Sequence, residues 1–360
     1  MNCLIQRESI HLEACSVGGT LANIYDVAKR AATSVATVSA VVNNSSYVSP
    51  ALKERVELAI AELKYTPNHL ARSLARKASH TIGIVIPDIA NTFFSEVVRG
   101  AEDKVNEAGY TLILGNSDNQ VEKEELYLNV FLSKRVDGIL LVKAAGEISA
   151  SLQETLRTPS PPIALIDREY PSLKADTVVT DNAGGSYAAT RHLMNLGHRR
   201  IGLISGNPGL STTEGRLQGY RDALSSRSVP FDPSLIANGD YGVESGYAAG
   251  ATLMKQRPTA IFVTNCMMTI GLMQFLNKHK LRCPEDIAIV SYDDVMWNEI
   301  VKPTLTCIVQ PKYLLGYRSA EILISRIRGK HKRLKFDVLE NELRIRESSG
   351  ESVNPSKEHR

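Results

Sequence analysis

From Thr81 onward the chain settles into a rhythm that restricts its fold more than any other feature. Short apolar runs at 82–86, 112–114, 139–142, 163–166, 178–180, 201–205, 260–263 and 287–291 recur along it. Between several of them lie helical patterns, such as 94–108 and 186–196. Buried strands alternating with helices mark a doubly wound parallel sheet. There are more runs than one comfortable sheet of this kind holds, so two sheets, and hence two lobes, are expected.

The stretch before Thr81 follows another period. Ile24, Val27, Ala28 and Ala31 fall on one helical stripe, and Ala32-Thr33 break it. Ser34 is a good N-cap for a second helix carrying Val35, Val38, Val41 and Val42. A third helix starts at Ser49-Pro50 and carries Leu52, Val56, Ala59, Ile60 and Leu63 on one face. Two short helices joined by a tight turn form a helix-turn-helix, whose second helix is sized for a DNA major groove. That helix would offer Val35, Ala36, Thr37, Ser39 and Ala40 to base edges. Val35 and Ala36 can make only apolar contacts, for example to a thymine methyl, whereas Thr37 and Ser39 bring hydroxyls. Tyr65-Thr66-Pro67-Asn68 then stops the helix, and Asn68 can cap a basic segment, 69–76, too short to be stable alone.

Charge supports a nucleic-acid-binding head. The whole chain carries only +3. Between Asn23 and His80, however, eight basic residues face four acidic ones, so the head is basic and the remainder about neutral. The five cysteines, Cys3, Cys15, Cys266, Cys283 and Cys307, are widely spaced with no CxxC, which suggests neither a disulfide framework nor zinc. A reducing cytoplasm fits, and no apolar run reaches membrane-spanning length. Residues 1–22 lack the apolar core of a signal peptide and read as a disordered tail. No phosphate loop, GxGxxG, nucleophile elbow or metal-spaced His/Glu set is present, so neither a cofactor nor enzymatic chemistry is expected.

The runs IYDVAKRA, TVSAVVN, YVSPALKERV and AIAELKYTPNHLARSLAR resemble the N-terminal domain of the LacI/GalR family of bacterial transcription regulators. The likeness extends from Ile24 to about Glu347. It implies an α/β protein with an all-α helix-turn-helix head at 23–67 and a hinge helix with linker at 68–80. A two-lobed domain like the periplasmic sugar-binding proteins, made of two doubly wound parallel sheets, would fill 81–347. The first lobe would hold about 81–180 plus 309–330, the second about 181–308 plus the C-terminal strands, with 348–360 a frayed tail. The chain would cross between lobes near Asp181, near Val309 and again towards the C-terminus.

The resemblance also assigns roles. The DNA-contacting set becomes Ser34, Val35, Ala36, Thr37, Ser39, Ala40, Asn43, Tyr47 and Leu74, with Leu74 wedged into a minor-groove base step. Two positions in the head depart from the family. Ala40 replaces a common Arg, removing about 1–3 kcal/mol of possible base discrimination per half-site. Ala32 stands where a turn Gly is usual. Sugar-binding members place an Asn, two Phe, an Asp-Arg, an Asn, an Asp and a Gln at points held here by Asn91, Phe93, Phe94, Asp167, Arg168, Asn265, Asp293 and Gln310. Thr212, Glu214 and Tyr241 complete the expected effector set. Glu214 stands where a second Arg is common, which would turn the pocket towards a cationic ligand, and Cys266 replaces the usual Asp. The expected molecule is a homodimeric, cytoplasmic regulator, most simply a repressor, that binds operator double-stranded DNA under control of a sugar-like effector. The alternative is a sugar-binding protein without DNA readout.

Overall fold

The computed structural model describes residues 22–43, 46–65, 78–157 and 161–350, in two compact units divided after Lys77. The hinge helix, Leu74 and the first 21 residues lie outside the described residues.

The head contains α1 (Ile24–Arg30), α2 (Val35–Asn43) and α3 (Pro50–Glu62). Asn23 and Asp26 cap α1 reciprocally, each side chain accepting the other's backbone N–H. Ser34 caps α2 by accepting the Thr37 N–H at 3.1 Å. Between the helices Ala32 adopts φ +45°, a left-handed conformation that disfavours a Cβ. Arg55 on α3 donates to the carbonyls of Ala31 and Ala32, at 2.5 and 3.1 Å, so both turn carbonyls gain a charged partner. Val27, Ala28, Ala31, Val38, Val56 and Ala59 form the small core beneath.

The larger unit runs β1 (Thr81–Ile86), α4 (Thr92–Glu107), β2 (Thr111–Asn116), α5 (Val121–Ser133), β3 (Gly138–Leu141), α6 (Ala150–Arg157), β4 (Ile163–Ile166) and β5 (Asp176–Thr180). The second lobe follows with α7 (Asn182–Asn195), β6 (Ile201–Ser205), α8 (Ser211–Ser226), β7 (Ile236–Asn238), α9 (Val243–Met254), β8 (Ala260–Val263), α10 (Cys266–Lys278), β9 (Ala288–Tyr292) and β10 (Thr306–Val309). Then come α11 (Lys312–Ile327), β11 (Phe336–Leu339) and β12 (Glu342–Arg344).

Two six-stranded sheets result, ordered β11-β5-β4-β3-β1-β2 and β12-β10-β9-β8-β6-β7. Each strand order reverses beside the first strand of its lobe, which opens a crevice at the carboxyl ends, where open α/β sheets hold ligands. Side-chain alternation explains the layers. In β1, Ile82, Ile84 and Ile86 pack towards α4 and α11, while Val85 joins Leu128 and Phe131 on the opposite face. Helices α4 and α11 lie backbone to backbone: a Cβ on Gly316 would sit 1.8 Å from the Val97 carbonyl oxygen, and one on Gly100 would sit 2.0 Å from that of Tyr313.

Two expectations about the C-terminus need correction. Strand β11 pairs with β5 in the first sheet, and only β12 returns to the second, where it lies antiparallel to β10. The first lobe therefore extends beyond residue 330. Residues 348–350 are also packed, not frayed. Ser348 and Ser349 are buried, Ser348 donating to the Ile289 carbonyl at 2.7 Å and Ser349 sharing a 2.9 Å hydrogen bond with His192.

Candidate functional site

The carboxyl ends of the two sheets enclose a tight cavity of about 30 Å³. The first lobe lines it with Asn91, Phe93, Phe94, Asp167 and Arg168. The second supplies Thr212, Arg216, Tyr241, Asn265 and Asp293, and Gln310 sits where the chain crosses back.

Local chemistry places each side chain. Asn91 and Asn265 are the N-caps of α4 and α10, their side chains accepting from the Phe93 and Met268 amides at 3.0 Å, so each amide group is held at a helix start. Phe93 and Phe94 meet edge to face at 5.0 Å between centroids, walling one side. Asp167 follows β4 and Asp293 follows β9, both left-handed, at φ 65° and 72°. Their amides bond to Val178 and Ile308 of the adjacent strand, each at 2.9 Å, so the two lobes use one device twice. Tyr241 is also left-handed at φ 71°, a strained state for a bulky residue, and its hydroxyl shares a 2.6 Å hydrogen bond with Thr213.

Asp167 and Arg168 both line the cavity but do not hydrogen-bond to each other. Arg168 Nε lies 3.9 Å from Asp167, while its Nη1 donates to Asn119 at 2.9 Å and to the Lys143 carbonyl at 2.6 Å. Arg168 Nε and Asp167 Oδ1 are buried without partners. Buried polar groups left unsatisfied are costly, so a polar ligand between them would be favoured. Burial raises the carboxyls of Asp167 and Asp293 above the usual range, against the pull of Arg216. Gln310 donates to Asp293 at 2.6 Å and accepts from Thr180 at 2.5 Å.

Glu214 is the exception among the effector residues. It is exposed on α8 and accepts the Gly209 N–H at 3.2 Å, outside the cavity, so the expected charge reversal does not occur. A helix turns 100° per residue, so the inward face that carries Thr212 returns at position 216, not 214. The sequence reading missed Arg216, which spacing from Thr212 could have found. Its Nε donates to Asn182 at 2.8 Å, its Nη1 to the Thr264 carbonyl at 2.7 Å, and its guanidinium stacks 3.9 Å above the Tyr292 ring.

Contacts between lobes hold the cavity closed. Glu169 N–H donates to Ser211 at 2.9 Å, Lys312 donates to the Asp294 carbonyl at 2.6 Å, and the Cys266 thiol lies 3.8 Å from Asn91 Oδ1.

On the head, Ala36 is exposed, and Thr37, Ser39 and Ala40 are half-buried. Val35 instead packs against the head core, three positions before Val38 on the same stripe. Ser34 is occupied as a cap and also shares a 2.9 Å hydrogen bond with Thr37 Oγ1. Asn43 donates to Ser39 at 2.8 and 3.1 Å, whereas Tyr47 is 90% exposed.

Family comparisons agree with this anatomy. The bacterial regulatory proteins of the lacI family match residues 23–68, and a periplasmic binding protein-like domain matches residues 190–349. The chain is 34% identical over 330 residues to the ribose operon repressor of Haemophilus influenzae, covering 91% of this chain and 98% of that protein. The chain belongs to the LacI family.

Among solved LacI-family structures, the lac repressor dimer bound to operator and an anti-inducer superposes with a TM-score of 0.81 at 28% identity, over 91% of this chain and 99% of that one. A LacI-family regulator from Enterococcus faecium with bound ribose gives 0.68 at 32% identity, over 74% and 98%. As a LacI-family member the chain is a DNA-binding transcriptional regulator. Among the described residues no group of three or more His, Cys, Asp or Glu could hold a metal ion, and no helix is long and apolar enough to cross a membrane.

Proposed function

We propose that this regulator is a cytoplasmic, homodimeric repressor whose operator affinity is set by a small neutral sugar enclosed between the lobes. The cavity carries this reading. Two phenylalanine faces suit the C–H face of a sugar ring, while Asp167, Asp293, Asn91, Asn265, Arg168 and Arg216 supply acceptors and donors for its hydroxyls. The ribose held by the Enterococcus faecium regulator makes pentoses the first candidates. Dimerism follows from the head, which buries too little surface to bind tightly alone and matches a two-fold operator when paired. The sugar acts by binding one lobe arrangement better than the other. Regulation of this kind requires no turnover, so the protein acts as a binder and not as an enzyme.

A panel of pentoses, hexoses and nucleosides tested by thermal unfolding and operator titration decides the matter. A true effector at a hundredfold excess over its Kd stabilises the fold by about 2.7 kcal/mol, and it changes operator affinity in the same experiment. A ligand that stabilises the protein without altering DNA binding would instead favour the sugar-binding alternative.

A further inference from the structure

The opposite end of the first lobe, where its strands begin, carries a charge pattern that effector binding does not use. The loop joining α11 to β11 presents Arg328, Lys330, Lys332 and Arg333, all exposed. Lys134 and Arg135 precede β3, Lys174 precedes β5, and these three are exposed too. None of the seven makes an ion pair among the described residues, although Arg328 donates to the Ala108 carbonyl at 3.0 Å.

Two carboxylates at this end, Asp137 and Asp176, are turned to internal work, and the exposed Glu107 is paired with Lys104. Asp137 accepts from the Ser79 and His80 amides at 2.8 and 2.9 Å. The side chain of Asp176 is fully buried and receives Arg326 at 2.7 Å and the Lys335 amide at 2.8 Å. Arg326 also donates to the Arg333 carbonyl at 2.9 Å, and His331 lies 3.4 Å from Asp176. The basic loop is thereby braced from beneath while its cations face outwards. An unneutralised array of this kind repels itself and is retained at a cost unless an anion meets it.

Two further observations indicate which anion. The cations extend from β3 to β11, three strand spacings or about 15 Å, a length of duplex carrying about nine phosphate charges. The chain coming from the DNA-binding head also enters the lobe at this end, through Ser79 and His80.

We propose that the strand-start end of the first lobe is a second DNA-contacting surface, which grips duplex backbone beside the operator through charge and without reading sequence. This rests on the DNA-binding reading above. The contact adds affinity and salt dependence, while base selection stays with the head.

The test compares the full-length wild type with a K330Q/K332Q/R333Q variant and a charge-preserving K330R/K332R/R333K control. Each is titrated over a range of salt concentrations against a short duplex holding only the palindrome, the same palindrome with ten flanking base pairs per side, and a random duplex of the longer length. Each lost phosphate contact lowers the salt slope by about 0.9. The Gln variant should lose about 1 to 3 units of slope on both long duplexes and little on the short one, while the control matches wild type and sugar affinity stays constant in all three. Equal slopes for wild type and Gln variant on the long duplexes would overturn the inference. Failure of the wild type to prefer the palindrome would count against the repressor reading, while the random duplex would still decide the role of the basic surface.

Discussion

Glu124 on α5 offers a sharp test of how the first lobe is built. Its side chain is almost wholly buried, and its carboxylate accepts the Ala144 N–H behind the effector cavity. Lys143, Arg168 and Glu147 are the charged groups around it. Burial pushes its carboxyl from 4.5 up to about 7, overcoming the opposing pull of the Ala144 amide and of Lys143 and Arg168. At about 1.4 kcal/mol per unit, that rise amounts to about 3 kcal/mol. The folded state holds the proton more tightly than the unfolded chain, so stability falls as pH climbs from 4.5 to about 7 and is constant beyond. Glu124→Gln keeps an acceptor for Ala144 and removes the ionisation. Urea unfolding at pH 5 and pH 8 should show the variant stabilised by about 3 kcal/mol at pH 8 and by under about 1 kcal/mol at pH 5. An equal change at both pH values would refute the reasoning, because it would mean that Glu124 does not titrate between them.

Other outcomes follow from the same geometry. Arg216→Gln should weaken sugar binding by about 30- to 100-fold by calorimetry, corresponding to about 2–3 kcal/mol for a lost charged hydrogen bond, whereas Glu214→Ala should leave it within about twofold. Ala32→Gly should stabilise the head by about 0.5–1 kcal/mol in thermal unfolding, since relief of left-handed strain exceeds the added chain entropy; a loss of stability would place the turn in another conformation. Gly316→Ala should destabilise the first lobe by about 1–3 kcal/mol, because the Val97 carbonyl leaves no room for a methyl group, and a neutral result would show that α4 and α11 can separate freely.

How far the sequence foretold the structure depended on how locally each feature is encoded. The buried strands of the sheet centres read clearly, because continuous runs such as 163–166 and 201–205 can be little else. Strands β7 and β10 match none of the apolar runs, and β11 and β12 are expected only as C-terminal strands without bounds, since Asn238, Thr306, Asp337 and Glu342 interrupt short segments whose pairing is decided by distant neighbours. The start of α7 lies four residues before the helical pattern at 186–196, because Asn182, Gly184 and Gly185 are poor helix formers and Asp181 fixes the start by accepting the Gly184 N–H at 2.8 Å. Among effector residues, those at strand ends were legible, since topology gathers such ends at one crevice. The family pattern points to Glu214, but the inward helix face shared with Thr212 falls on Arg216. Val35 falls on both the core stripe and the reading face, and it packs, half-buried, against the head core.

The crossings between the lobes bear on how a bound ligand could be felt elsewhere. Three connections pass the hinge, near Asp181, at Gln310 and at Glu340-Asn341, and Asn341 ties the first to the last by donating to the Asp181 carbonyl and the Tyr292 hydroxyl, both at 2.9 Å. One cord would let the lobes swing and spin in any direction. Three cords set side by side and cross-braced resist torsion and shear, leaving bending about a single axis as the soft mode. A ligand that tightens the cleft must then spend its effect on that one coordinate, which makes the response of the far end of the first lobe a rotation of fixed direction.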